Sequence, residues 1–555
     1  MDTSLSDNVA GEIERLRSAL KERPNDAGLL AGLGKLLRVA GNTEKAKRRL
    51  SLAIALDPTQ IEPLLVLGNT HLRECETNRA LACFGLAQTY SPQDWLRFKM
   101  AVSIPPLVQS LAHIAVLREG LGRALGALSK LSLRVKNPPY DGASLFYLAY
   151  YGQDDKSLYE AFANLHLRFD PDLAGVAPHC IKPRPRDDEP RIKVGFISTF
   201  FYEHSIGRLT RGIIEGLDRE KFHVTVVMVS HAKDALTDII ARSADRALEI
   251  PRDLDRARLV VAKEELDVIV YPDIGMDSLT YCLACARLAP VQCLTWGHPV
   301  TSGIPSLDYF VSAEDLETEG SEDHYSEALY KLKCLGTYYY RPESPKKKKR
   351  SDFGLKGSPH YYFVPQYLFK IHPEFDLLIA AILDGDPKGR VLFIDGIEGA
   401  WKNFLRARFQ KTIPGVADRI DFTPWRPQRD FLALMANTTV VLDIPHFNGG
   451  NTTIEAFFAG VPVVTMPTRF ARGRFSAAIM KQIGLDECIA ETPKDYVDLA
   501  VRIGTDLKYR KSLRAKIRKR IDGIFENDEA IREWERFFID VCGRKDIGPP
   551  KGGGS

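Results

Sequence analysis

The stretch Asp443-Ile-Pro-His-Phe-Asn-Gly-Gly-Asn-Thr-Thr-Ile-Glu455 gathers two glycines, two asparagines, two threonines and a glutamate into one loop and the helix start after it. A β-rich run, Thr438 to Asp443, enters this loop, and helical spacing begins at Asn451 to Thr453. The chemistry on offer is anion binding. Asn and Thr favour helix N-termini, the first backbone N–H groups there have no partner within the helix, and the helix dipole adds positive potential. Gly449 and Gly450 let the backbone approach a phosphate, and Glu455, one turn on, can accept hydrogen bonds from a ribose. Gly460 and Pro462 end the helix, and Val461 to Met466 reads as a buried strand. An ordinary strand-loop-helix turn accounts for the same pattern without a ligand. The loop has neither a Walker lysine nor G-x-G-x-x-G, so the P-loop and dinucleotide fingerprints do not explain it.

Three more loops carry polar groups at strand ends. In Ser198-Thr-Phe-Phe-Tyr-Glu-His204-Ser-Ile-Gly-Arg208 a histidine follows a strand, as a proton carrier, a substrate contact or a structural residue. Thr295-Trp-Gly-His298-Pro299-Val-Thr301-Ser302-Gly303 offers close-approach backbone and small hydroxyls, as many Gly-rich turns do. Pro365-Gln366-Tyr367-Leu-Phe-Lys370-Ile-His372 supplies a lysine able to neutralise a departing diphosphate, or simply a solvent-facing one. Arg472-Gly-Arg474-Phe-Ser476 lies after the next strand and adds Arg474 to the first loop. Cys282 and Cys285 form a lone C-x-x-C with neither a second pair nor a histidine cluster, so no metal site is expected.

Loops of this kind need rigid strands behind them, and the chain supplies two series. From Arg191, strand and helix alternate: Ile192 to Ser198, Phe222 to Val229, Val268 to Tyr271, Val291 to Thr295 and Tyr309 to Ser312 are strands, and Ile206 to Leu217 is a helix. A charged break, Arg341-Pro-Glu-Ser-Pro-Lys-Lys-Lys-Lys-Arg350, separates these from a second series. Its strands are Tyr361 to Val364, Val391 to Ile394, Arg419 to Phe422, Thr439 to Leu442 and Val461 to Met466. Doubly wound parallel sheets bind ligands beyond their strand C-termini, so two of them imply a cleft lined by these four loops. The Lys346 to Arg350 run reads as solvated linker.

Ahead of the sheets lies a repeat. Pro24, Pro58 and Pro92 are 34 residues apart, and Gly34 with Gly68, Ala46 with Ala80, Ala53 with Ala87 and Leu50 with Phe84 keep the same offset. Small residues where two helices touch are the grammar of the tetratricopeptide repeat, and Val9 to Lys21 supplies a leading helix. Helical periodicity continues over Trp95 to Leu133 and Ala143 to Leu167, broken at Pro105-Pro106 and Pro138-Pro139, and Phe146 to Asp155 reads as an internal aromatic interface. The expected domains are repeats over 1–93, a helical extension over 94–181, a first lobe over 191–340, a linker over 341–357, a second lobe with terminal helices over 358–545 and a linker-like tail over 546–555. Lys182 to Pro190 joins extension to lobe.

Composition excludes several classes. The net charge is +4 over 555 residues, which argues for neither nucleic acid nor membrane as a partner. No apolar run reaches membrane length and the first residues lack a signal-peptide pattern, so a cytoplasmic protein is expected. Nine cysteines scattered through apolar segments fit reduced core residues.

Asn448 to Thr465 with Arg474, Trp296 to Gly303, Asp308-Tyr309, His324 to Glu327 and, more weakly, Asp495 to Ala500 resemble the O-linked GlcNAc transferase and SPINDLY-like glycosyltransferases, especially bacterial members. The resemblance runs from about Phe146 to Arg520. It implies an α/β chain of GT-B fold, with two Rossmann-like lobes and an N-terminal all-α tetratricopeptide-like solenoid. It also implies transfer of a sugar from a nucleotide donor, UDP-linked, to protein side chains, with no metal or other cofactor and with the repeats recruiting the acceptor. By residue, it implies that Lys370 contacts the donor diphosphate and that Asn451 and Thr452, with Gly449, Gly450 and Thr453, hold the phosphates. Glu455 would hold the ribose, Gln366 or Tyr367 would lie by the nucleotide with Arg474 nearby, and His204 would face the sugar and acceptor. His298, Pro299 and Thr301 would form the sugar and acceptor loop, and His204 is the expected base. This chain departs from the animal enzyme at Gly450, Asn451 and Asp267. The competing readings are a repeat-based scaffold with degenerate lobes and a transferase acting on a non-protein acceptor.

Overall fold

The computed structural model describes residues 3–135, 144–182, 191–229, 233–357, 359–396 and 399–543. The expected breaks at Pro138-Pro139 and 183–190, and the 546–555 tail, lie outside them. By contacts the chain divides into two compact units, Met1–Tyr147 with Asp395–Arg408, and Leu148–Ile394 with Phe409–Ser555.

The first unit is helical: α1 (Thr3–Glu22), α2 (Ala27–Val39), α3 (Thr43–Leu56), α4 (Ile61–Arg73), α5 (Thr77–Tyr90), α6 (Asp94–Ala101) and α7 (Leu111–Leu128). Asp26 caps α2 by accepting the Leu29 N–H at 2.9 Å. The register read from the sequence is the packing register. Ala46, Leu50 and Ala53 of α3, and Ala80, Phe84 and Ala87 of α5, are fully buried. A β-carbon on Gly34 would lie 2.7 Å from Leu50 Cγ, and one on Gly68 2.5 Å from Phe84 Cε1, so each glycine lets the paired helices close. Gly68→Ala is expected to cost about 1–3 kcal/mol through overpacking, read as a lowered denaturant midpoint.

The second unit holds two parallel sheets. The first contains β1 (Ile192–Ser198), β2 (Phe222–Val229), β3 (Arg246–Ile250), β4 (Val268–Tyr271), β5 (Val291–Thr295), β6 (Tyr309–Ala313) and β7 (Ala328–Leu332), in the order β3-β2-β1-β4-β5-β6-β7. The second contains β8 (His360–Val364), β9 (Gly389–Asp395), β10 (Ile420–Pro424), β11 (Val440–Leu442) and β12 (Val463–Val464), in the order β10-β9-β8-β11-β12. This is the GT-B architecture. β3 and β7 escape sequence reading because, as edge strands, they read Arg-Ala-Leu-Glu-Ile and Ala-Leu-Tyr-Lys-Leu, without the continuous apolar run of the buried strands.

The strand order reverses between β1 and β4 in one sheet and between β8 and β11 in the other. Ligands sit in the crevice at such switch points. The first is followed in sequence by Thr199 to His204 and Pro272-Asp273, the second by Gln366 to Lys370 and Asp443 to Asn451. The closing helix, Asp528–Gly543, crosses back to the first lobe, where Trp534, Phe537 and Phe538 pack with Phe196 and Phe222 of β1 and β2. Sequence order had grouped it with the second lobe. Its apolar face carries three large aromatics that the first lobe's core accommodates. The 341–357 segment is anchored through Lys346 and Lys348, which lie 3.3 and 2.8 Å from Asp430.

Candidate functional site

A short turn, Leu368–Lys370, follows β8 and aims Lys370 back at Gln366, whose Oε1 accepts from its Nζ at 2.9 Å. Gln366 Nε2 in turn donates to Thr452 Oγ1 at 2.6 Å, so one chain of hydrogen bonds ties the lysine turn to the helix Asn451–Phe458. The same Nζ lies 4.4 Å from the Phe447 ring centroid. Burial pushes the Lys370 ammonium down to about 8, against the pull of Asp443. Beneath them Tyr150 packs on Phe369 and Phe447, with centroids 4.7 and 4.5 Å away. Tyr367, more than half exposed, stacks on Phe369 at 5.3 Å.

The loop before the Asn451 helix is held from below. Asp443 accepts the Gly449 N–H at 2.8 Å and the Thr465 hydroxyl at 2.7 Å, and burial raises its carboxyl to about 6. Gly449 is required by crowding: a β-carbon there would lie 2.2 Å from Thr452 Oγ1 and 2.5 Å from Gln366 Nε2. The helix cap differs from expectation. Gly450 is the cap residue and no side chain caps the first turn, because Asn451 is already helical and Thr453 donates to the Gly449 carbonyl at 2.7 Å. Asn451, 9% exposed, has both Oδ1 and Nδ2 without a hydrogen-bond partner. A buried amide left so at a helix N-terminus is suited to an incoming polar ligand.

Glu455 is buried and already engaged. Gln428 Nε2 donates to its Oε1 at 3.0 Å, and Arg208 of the first lobe reaches the same oxygen at 3.4 Å. Burial raises its carboxyl above the usual range despite these partners. The lobes also meet where Trp296 packs on Phe475 at 5.0 Å and Arg469 Nε donates to His324 Nε2 at 3.0 Å. Arg474 donates to the Thr468 carbonyl at 3.1 Å, and its Nε is buried without a partner.

On the first lobe, His204 caps the helix Ser205–Gly216, its Nδ1 accepting the Ile206 N–H at 3.2 Å. Desolvation and Arg208 lower the ring to about 4, so it is neutral. A neutral ring accepting at Nδ1 carries its proton on Nε2 and is a donor there. His298 is buried, held down to about 3 by desolvation and then Arg472, with Tyr159 OH 3.5 Å from its Nε2. Thr301 is turned inward onto Glu327 at 2.7 Å and Ser326 at 2.8 Å, so the Pro299 to Thr301 segment is braced by a buried carboxylate. Asp267 lies at the opposite end of its strand from the crevice, accepting the Lys193 N–H at 2.8 Å. That clamps the N-terminal ends of the neighbouring inner strands β1 and β4.

Sequence reading missed Asp273. It follows β4 at the switch point, is 1% exposed, and burial raises its carboxyl to about 8 against the stabilising Ser198 hydroxyl. An aspartate just past an apolar strand was the available signal, but Pro272-Asp273-Ile-Gly275 reads equally well as a turn. Phe447 and Arg208 lay within quoted stretches, yet their partners come from distant segments. Among the described residues, His372, Glu374 and His446 also cluster, with His446 Nε2 2.6 Å from Glu374 Oε2.

Residues 341–527 match the family model described as glycosyl transferase family 41. The matched residues lie in the second lobe and its linker. The chain is also similar to probable UDP-N-acetylglucosamine–peptide N-acetylglucosaminyltransferases SPINDLY. The Petunia hybrida protein is 24% identical over 66% of this chain and 40% of its own length. The Arabidopsis thaliana protein is 26% identical over 61% of this chain and 38% of its own length. The family 41 match thus sits in a chain spanning about 40% of the length of the curated relatives it matches. A solved structure of a Thermobaculum terrenum O-GlcNAc transferase mutant superposes with a TM-score of 0.74 at 23% identity, covering 97% of this chain and 95% of that one. That likeness is one of fold and covers almost the whole chain. No helix among the described residues is long and apolar enough to cross a membrane.

Proposed function

We propose that the protein is an inverting glycosyltransferase that moves a sugar from a UDP-linked donor to Ser or Thr hydroxyls of a protein acceptor. The observation that carries this reading is the unpartnered, buried Asn451 amide at a helix start joined to Lys370 through Gln366 and Thr452. The names of the curated relatives support the donor and the peptide acceptor. The acceptor oxygen attacks the anomeric carbon, the bond to the diphosphate oxygen breaks, and UDP leaves. Lys370 and the free N–H groups of the Asn451 helix take up the charge developing on the diphosphate, an interaction that strengthens in the transition state. With a lysine in that place no metal is required. Tyr367 borders the nucleotide, and the repeats recruit the acceptor in the cytoplasm.

The acceptor proton needs a destination. His204 was the expected base, but its neutral ring offers Nε2–H, which suits it to donate to the sugar or acceptor. Asp273, once ionised, takes the proton. Its carboxyl is ionised above about pH 8, whereas Lys370 is cationic below about pH 8. Transfer is therefore expected to follow a narrow bell in pH centred near 8, and affinity for UDP alone to fall as pH rises through Lys370's range. Calorimetric titration with UDP, GDP and CMP, with and without magnesium, tests the reading. UDP binding without metal supports it, and binding of none of the three sinks it in favour of a scaffold.

A further inference from the structure

At the opposite end of the C-terminal lobe's strands, before β8 and β11, lies a pocket of about 440 Å³ with four basic side chains in its wall: Arg350, Arg510, Lys511 and Arg514. His360 and Asn437 complete its polar lining, and among the described residues that line it there is no carboxylate. Three guanidinium groups are held in place by backbone carbonyls. Arg350 Nε donates to the Asn437 carbonyl at 3.0 Å, Arg510 to the Ile503 and Gly504 carbonyls at 2.6 and 2.7 Å, and Arg514 to the Thr438 carbonyl at 2.9 Å. Carbonyl partners orient these cations without cancelling their charge. Arg514 Nε is buried and has no hydrogen-bond partner.

Two acids outside the lining, Asp386 and Asp506, offset part of the Arg510 charge; Asp386 also binds His360 at 2.7 Å and Tyr362 OH at 2.9 Å, and Asp506 accepts the Lys508 and Tyr509 N–H groups. Desolvation and mutual repulsion depress Arg510 and Arg514 below their usual range. Guanidinium groups fixed around an open cavity present a lining suited to an anion.

We propose that this pocket binds a soluble, phosphate-bearing anion, independently of the donor cradle. Planar guanidinium forks recognise phosphate oxygens in pairs, and the volume admits a small organic phosphate or a diphosphate. A recessed pocket whose large exposed apolar neighbour is Leu507 alone, among the described lining residues, suits a free ligand better than a lipid headgroup at a membrane surface. The binding would tie the Arg350 segment to the helix Leu507–Arg520.

The test is calorimetric titration of the whole protein with inorganic pyrophosphate in 150 mM salt. The comparison proteins are an Arg510→Gln, Lys511→Gln double variant and Lys370→Ala, with vesicles bearing phosphorylated headgroups as a separate arm. The expected result is a binding event that persists in Lys370→Ala, weakens at least tenfold in the double variant, and is accompanied by a rise in melting temperature lost in that variant. The double variant's unchanged circular dichroism and UDP affinity would show it folded. Binding that vanishes with Lys370→Ala but survives the double variant would overturn the proposal, as would no binding at millimolar pyrophosphate. Preferential binding to vesicles would overturn the choice of a soluble ligand.

Discussion

Lys370→Ala is expected to lower sugar transfer by roughly 10²–10³-fold, the scale of losing one preorganised stabiliser of developing negative charge. The change removes the cation and also the hydrogen bond that positions Gln366, which orders Thr452 at the helix start. UDP affinity should fall with it, because the diphosphate carries charge in the ground state too. Global stability should not fall. The folded-state pKa of this lysine is depressed to about 8, so folding opposes its charged form at neutral pH. Removing it should leave the melting temperature unchanged or slightly raised. Transfer within threefold of the parent would sink the assignment of Lys370 to the leaving group.

Asp273→Asn should separate chemistry from binding on the other side of the cleft. Losing a general base typically costs about 10²–10⁴-fold, so turnover should fall by that order while UDP affinity holds, since the donor cradle belongs to the other lobe. The stability sign is opposite to that of a salt-bridged carboxylate. The folded-state carboxyl titrates near 8 and the unfolded one near its ordinary acid value, so ionisation destabilises the fold increasingly as pH rises between them. The asparagine variant should therefore melt higher than the parent at pH 8–9, with the two converging in acid. The alkaline-rising limb of the transfer profile should vanish in the variant. His204→Ala should lose less, because a hydrogen-bond donor is removed and not the proton's destination. If His204→Ala abolishes that limb and Asp273→Asn keeps it, the roles are reversed.

Much of this was written in local patterns. The 34-residue spacing of Gly34 with Gly68 and Leu50 with Phe84 is a contact register, because a small residue and its large partner recur at each helix pair. The Asn448 to Glu455 stretch announced a helix start at a strand end, and the helix begins at Asn451. Lys370, Gln366 and Thr452 were named one by one, but their hydrogen-bonded chain was invisible because it joins residues 86 positions apart.

Sequence alone determined the alternation of strands and helices, the two-lobed class and the polar loops that follow the strands. These depend on periodicity, turn residues and helix-start preferences, which act over a few residues. Tertiary structure alone decided which side chains are free to act. It gave the Nδ1 of His204 to a cap, turned Thr301 onto Glu327, engaged Glu455 with Gln428 and Arg208, and left Asn451 without partners. It also raised Asp273 and lowered Lys370 toward the same pH. Hydrogen-bond satisfaction and desolvation belong to the surroundings of a group, and those surroundings are assembled from segments far apart in the chain.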